Sequence, residues 1–157
     1  MTPVAEIVEV TTLDQLEQVR ALIRRYQAEL AERYRFPDTE WLALPGEYRP
    51  PDGRLLLATV AGEPAGCVGL RPFPLPGACE MKRLYVSPAS RGDKLGRILI
   101  EHVIEAARRI GYTRMRLDTH PPTMGAAVEL YRRLGFVEVP AGPMTSVDGL
   151  LYMELLL

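Results

Sequence analysis

The chain has 157 residues, 47% of them hydrophobic and 25% charged, with a formal net charge of −1 at neutral pH. That size suits one domain, which buries about 70% of the surface its unfolded form exposes, so no disulfide or structural metal is needed to hold it together. The balanced charge argues against a nucleic-acid partner, no stretch reaches the length of a membrane span, and Cys67 and Cys79 lack a His or Cys companion at zinc-ligand spacing.

Residues 1–10 carry Glu6 and Glu9 and lack a basic region followed by an apolar run, so no signal peptide is expected and a cytoplasmic location is the default. Within them, residues 4–10 alternate and are rich in β-branched side chains, which suits a first strand. Thr11 or Thr12 then offers an N-cap before Leu13, Leu16, Val19, Leu22, Ile23 and Leu30. That spacing predicts an amphipathic helix continuing toward Tyr34, broken at Phe36-Pro37-Asp38, with a second short helix over 39–44 and a Pro/Gly loop over 45–53.

Three strands are expected next, over 54–61, 65–73 and 79–86, joined by turns at 62–64 and 74–77 and therefore antiparallel. From Leu95 the period changes to 3.6: Leu95, Leu99, Val103, Ala106, Ala107 and Ile110 share one face, and Gly111 stops the helix. A strand over 114–119, a helix over 124–134 ended by Gly135, and short strands over 136–139 and 150–156 complete the chain. The pattern is an α+β fold in which helices flank a mixed sheet, with no internal repeat and no boundary inside residues 1–157.

The chemistry is densest where the strand Leu84-Tyr85-Val86 passes through Ser87-Pro88-Ala89-Ser90 into Arg91-Gly92-Asp93-Lys94-Leu95-Gly96-Arg97 and the long helix. A helix start exposes unpaired backbone N–H groups and the positive end of the helix dipole, and Gly92 and Gly96 remove side chains that would block a ligand. Arg91, Lys94 and Arg97 add formal charge, which favours a ligand with several anionic groups. A solvated basic helix start is the alternative on these residues alone. The Gly-Lys-Ser/Thr of a nucleotide-hydrolysing loop and the dinucleotide fingerprint are both missing.

This segment resembles the GCN5-related N-acetyltransferases, whose signature is Gln or Arg, two free positions, Gly, one free position, then Gly or Ala. Lys94 stands where the family usually has Gly. Glu80-Met81-Lys82-Arg83-Leu84-Tyr85-Val86 is similar to the family's fourth strand, and Leu130-Tyr131-Arg132-Arg133-Leu134-Gly135-Phe136 to its later helix and turn. The resemblance implies α/β/α layers with a mostly antiparallel sheet of six to seven strands flanked by about four helices. It also implies acetyl-CoA as acetyl donor, no metal, and an acetyl transfer to a small-molecule or peptide amine in a ternary complex.

Carried over residue by residue, the resemblance assigns the pyrophosphate to Arg91, Gly92, Asp93, Lys94, Leu95, Gly96 and Arg97. The pantetheine and thioester fall to the backbone of Leu84, Tyr85 and Val86, where the family has a bulge. Glu80 is the implied base and Tyr131 the implied acid for the leaving thiolate. Met124 occupies the place at which many relatives put an Asn beside the pantetheine arm, so that contact falls to backbone or to Thr123.

The residues leave other readings open. Period-2 geometry puts Glu80, Lys82, Leu84 and Val86 on one face, where Lys82 is an ion partner for Glu80, and Tyr131 can pack its ring on Leu95 or Leu99. His120 is expected to face solvent, and the cysteines are expected to be buried and unreactive. Tyr26, Glu29, Tyr34, Phe36 and Trp41 form a candidate acceptor pocket or a packed helix hairpin. A non-catalytic acyl-CoA sensor and a homodimer through residues 150–157 are the competing readings of function and assembly.

Overall fold

The computed structural model describes residues 4–30, 32, 35–92, 94–142 and 149–157. In chain order the elements are β1 (Ala5–Glu9), α1 (Leu13–Glu29), α2 (Asp38–Leu42), β2 (Arg54–Val60), β3 (Glu63–Pro72), β4 (Ala78–Val86), α3 (Leu95–Ile110), β5 (Arg114–Thr119), α4 (Pro121–Arg133), β6 (Val137–Glu138) and β7 (Leu151–Leu156). They make the expected α+β architecture, an open seven-stranded sheet in the order β1-β2-β3-β4-β5-β7-β6.

Each helix has a local cause. Thr12 and Gln15 form a reciprocal capping box at the start of α1, and Leu16, Val19, Leu22 and Ile23 bury its apolar stripe. Helix α3 buries Leu95, Leu99, Ile100, Val103, Ile104 and Ala107 and stops at Gly111, whose φ of 109 suits only a residue without a Cβ. Burial of each such aliphatic side chain contributes about 1.5–3 kcal/mol.

Several boundaries differ from expectation. Helix α1 ends at Glu29 because Leu30 takes an extended conformation, and Tyr34 lies outside the described residues. Helix α4 begins at Pro121, not at 124, since prolines in the first helical turn lack only N–H groups that have no helical partner there. The β2–β3 turn is Ala61-Gly62, both at positive φ, the pair of dihedrals a two-residue hairpin favours.

The helices divide the sheet into two faces. A cluster including Leu99, Val103, Met115, Met153 and Tyr131 covers the α3/α4 face, and one including Val19, Leu22, Leu57, Cys67 and Tyr85 covers the α1 face. Two breaks in the sheet position the site. The β3–β4 register slips by one residue between Cys67 and Gly69, where Arg83 sits at φ 60 and makes a bulge in β4. The parallel β4–β5 pairing covers only Ala78↔Arg114, Cys79↔Met115 and Glu80↔Arg116, so the two strands part beyond Glu80.

The bulge overturns the simple period-2 placement. Leu84 and Val86 pack with Cys79 and Met81 on the α3/α4 face, while Tyr85 packs on the α1 face. Glu80 and Lys82, which alternate with Cys79 and Met81, therefore point away from Leu84 and Val86.

Candidate functional site

Where β4 and β5 diverge, a cleft of about 700 Å³ opens between the end of β4, the start of α3, α4 and the end of α1. Leu84, Tyr85, Val86, Arg91, Gly92, Lys94, Leu95, Gly96, Arg97 and Tyr131 all line it. Ser90 and the α4 residues Ala126 and Ala127 line it too, small side chains that leave room on the floor. Asp93 lies outside the described residues, as does the side chain of Met124, whose backbone is part of α4.

The loop is held in a conformation suited to an anion. A 3₁₀ turn, Pro88–Ser90, leads to Gly92, whose φ is 92 and whose Cα faces open space. Lys94 is the N-cap of α3 at φ 61, a left-handed conformation that costs a residue with a Cβ about 1–2 kcal/mol. A Cβ built on Gly96 would come no nearer than 3.8 Å to Val86, so its approach to the cleft is open. The first intrahelical bond runs from the Ile98 N–H to the Lys94 carbonyl at 3.1 Å. The N–H groups of Leu95, Gly96 and Arg97 precede that bond and have no acceptor within the helix.

Arg91 is tied into this loop. Its Nε donates to the Val86 carbonyl at 3.0 Å, and its Nη2 donates to Glu29 Oε1 of α1 at 2.7 Å. The other Glu29 oxygen accepts from the Tyr85 hydroxyl. Burial and the hydrogen bond to Glu29 push the Tyr85 phenol up to about 12. Burial would raise Glu29, but the bonds from Tyr85 and Arg91 hold it below its ordinary value.

Tyr131 is 6% exposed, packs edge-tilted on Phe136 at 5.7 Å between centroids, and still borders the cleft. Its ring contact is Phe136, within the core cluster that also holds Leu95 and Leu99. Burial, then the electrostatic influence of Tyr26 and Asp118, raises its pKa, so the phenol is protonated at neutral pH. Tyr26 belongs to the α1 face, and burial raises its phenol as well.

Glu80 stands apart from the described lining of this cleft. It is 5% exposed, and its Oε1 accepts from Nε and Nη2 of Arg71 at 3.0 and 2.9 Å. Its ion partner is therefore Arg71, not Lys82, because Arg71 lies directly opposite it across β3–β4. Lys82 instead donates to Asp118 Oδ2 of β5 at 3.1 Å. Arg116 donates to Glu154, and Arg83 pairs with Glu40 while its guanidinium lies 3.6 Å over the Phe36 ring.

Among the expected acceptor-pocket residues, Tyr26 and Glu29 reach the cleft and Phe36 stacks under Arg83. Tyr34 and the Trp41 side chain lie outside the described residues. His120 is only 9% exposed at the N-cap of α4, contrary to the solvent-facing position expected of it; ending β5 directly against a helix start leaves it no loop to project from. Burial pushes both Cys67 and Cys79 up to about 12, which keeps them as thiols. Sequence reasoning passed over Lys82 as a partner of Asp118, since nothing local connects residues 36 positions apart.

The comparisons agree with this geometry. The sequence model of the acetyltransferase (GNAT) family matches residues 16–136. An uncharacterized N-acetyltransferase of Schizosaccharomyces pombe is 38% identical over 143 residues, covering 89% of this chain and 87% of its own. An IAA acetyltransferase of Azospirillum brasilense is 32% identical over 144 residues, 90% of each chain. The Salmonella typhimurium protein solved with its cofactor acetyl-CoA has the same fold, with a TM-score of 0.75 at 22% identity over 97% of this chain and 93% of that one.

Proposed function

The chain belongs to the GNAT acetyltransferase family and is an acyltransferase, and from that premise we propose that it moves an acetyl group from acetyl-CoA to a primary amine of a small molecule or peptide by direct transfer. The observation that carries this reading is the parting of β4 and β5 beyond Glu80↔Arg116 into the same cleft as the basic loop at the start of α3.

The residues present suit the donor. Arg91, Lys94 and Arg97, with the backbone N–H groups of Leu95 to Arg97, offer charge and directed donors to a pyrophosphate. The unpaired β5-side edge of Leu84 to Val86 offers backbone partners to an extended pantetheine amide chain, and an N–H aimed at the thioester oxygen polarises it. Tyr131, kept protonated by burial, supplies a proton to the departing thiolate. Glu80 has both oxygen-directed bonds of Arg71 on one carboxylate oxygen, and to accept a proton it must act from within that pair.

Calorimetric titration with acetyl-CoA, followed by thiol release on a panel of amines and on IAA, tests the reading. Saturable binding that Arg91→Ala weakens, together with amine-dependent thiol release, is the expected result. Binding of acetyl-CoA without release for any acceptor would favour a sensor, and no binding would remove the donor assignment.

A further inference from the structure

Direct transfer leaves an acidic proton on the attacking nitrogen, and the group that takes it has to reach that nitrogen directly or through one water. On the transferase reading, Glu80 meets that need poorly: it lies at the last paired position of β4 and β5, 7% exposed in its side chain and fixed to Arg71. Asp118 lies two residues beyond the end of that pairing, on the free arm of β5, with a side chain 27% exposed.

The Asp118 carboxylate reaches across the opening to Lys82 Nζ on the free arm of β4, at 3.1 Å. It also acts electrostatically on Tyr26 of the α1 face and on Tyr131 of the α3/α4 face. Along β5 it alternates with Leu117 of the α3/α4 core, so its side chain leaves the strand on the α1 face, beside the point where β4 and β5 part. Lys82 of β4 contacts it, Tyr152 is its cross-strand neighbour on β7, and the phenols of Tyr26 from α1 and Tyr131 from α4 feel its charge.

We infer that Asp118 is the proton acceptor for the amine and that Lys82 positions it. The neutral amine nitrogen bonds to the thioester carbonyl carbon, becomes acidic as that bond forms, and passes one proton to the Asp118 carboxylate. The C–S bond breaks, and the thiolate takes the phenolic proton of Tyr131. Asp118 then releases its proton to solvent and the Tyr131 phenolate takes one back from solvent, so amine and thioester become amide and thiol with both side chains restored.

The test compares Asp118→Asn, Glu80→Gln and Lys82→Met with the wild type, using an amine that the wild type acetylates. Rates are measured across pH, alongside acetyl-CoA titration and thermal unfolding. The expected result is a fall in kcat of about 100-fold or more in Asp118→Asn, with acetyl-CoA affinity within about twofold and the acidic limb of the kcat/KM profile abolished. Glu80→Gln loses less and keeps that limb at the wild-type pH. Lys82→Met retains the carboxylate and most of the rate.

Equal losses of kcat in Asp118→Asn and Lys82→Met would mean that the pair only holds the strands, and would overturn the assignment. So would a larger loss in Glu80→Gln. If Asp118→Asn does not fold, Asp118→Glu decides: moving the carboxylate by one methylene should lower kcat with acetyl-CoA affinity within about twofold, and an unchanged kcat overturns the role. A wild type that acetylates no amine while binding acetyl-CoA overturns the transferase reading itself, and this role with it.

Discussion

At the start of α3 the groups offered to the donor come from consecutive positions, Arg91 to Arg97, so one turn of chain carries charge, glycine and helix dipole together. On the α1 face the charged groups come from different strands: Arg71 from β3, Glu80 and Lys82 from β4, Asp118 from β5, and they meet as ion pairs across the sheet, with Arg71 also reaching Glu47. The first region binds by local geometry, and its parts can be altered one at a time. The second is a set of compensated charges, in which removing a partner of the buried Glu80 leaves that carboxylate without its counter-charge, at a cost above that of the lost bond. Substitutions at the donor end should therefore grade affinity smoothly, and those at the acceptor end should act on rate.

The largest effect should fall where the two regions meet. Tyr131→Phe keeps the ring on Phe136 and removes only the phenolic proton, so kcat should drop by about 100-fold or more while acetyl-CoA binding changes little. Equal loss of binding and rate would make Tyr131 a packing residue of the cleft. At the donor end, Arg91→Ala removes a charge-assisted contact worth about 1.5–3 kcal/mol, so the Kd for acetyl-CoA should rise about 10- to 100-fold in calorimetry. Glu29→Gln should move the other way. It frees Arg91 from a carboxylate that stands in the cleft, but the pair is 49% and 41% exposed. Such a pair contributes about 1 kcal/mol at most, which limits the gain to about fivefold.

The same division explains what the sequence made legible. The helix period from Leu95 to Ile110, the strand Arg114–Thr119 and the loop between β4 and α3 are local patterns, and the structure has them within a residue of expectation. The resemblance implied a bulge in this strand, but its place at Arg83 was not readable, because nothing in an arginine announces a left-handed φ, and it reversed the faces of Leu84 and Val86 relative to Glu80. The partner of Glu80 followed from strand register, which places Arg71 opposite, and register is a property of two strands. Asp118 drew no notice because its ion partner Lys82 is contributed by β4, 36 residues away in sequence. The burial of His120 was missed for a related reason: two prolines after it read as a loop, whereas they fill the first turn of α4.

Lys94 gives the smallest and most discriminating test of the donor end. It occupies a left-handed position where the family signature has glycine, and it is exposed and lines the cleft, so one residue combines backbone strain with a positive charge. Lys94→Gly removes the strain but adds freedom to the unfolded chain, and the two nearly offset. The expected result is a stability gain below about 1 kcal/mol, a rise in Tm of about 2–4 °C at most, and a Kd for acetyl-CoA weakened by less than about fivefold. Lys94→Ala removes the same charge but keeps a Cβ at φ 61, so it should weaken binding equally without the gain in Tm. If both variants bind as tightly as the wild type, the ammonium does not reach the pyrophosphate. The positive charge at this end of the cleft then reduces to Arg91 and Arg97, with Arg97 already shared with Glu101 at 2.8 Å.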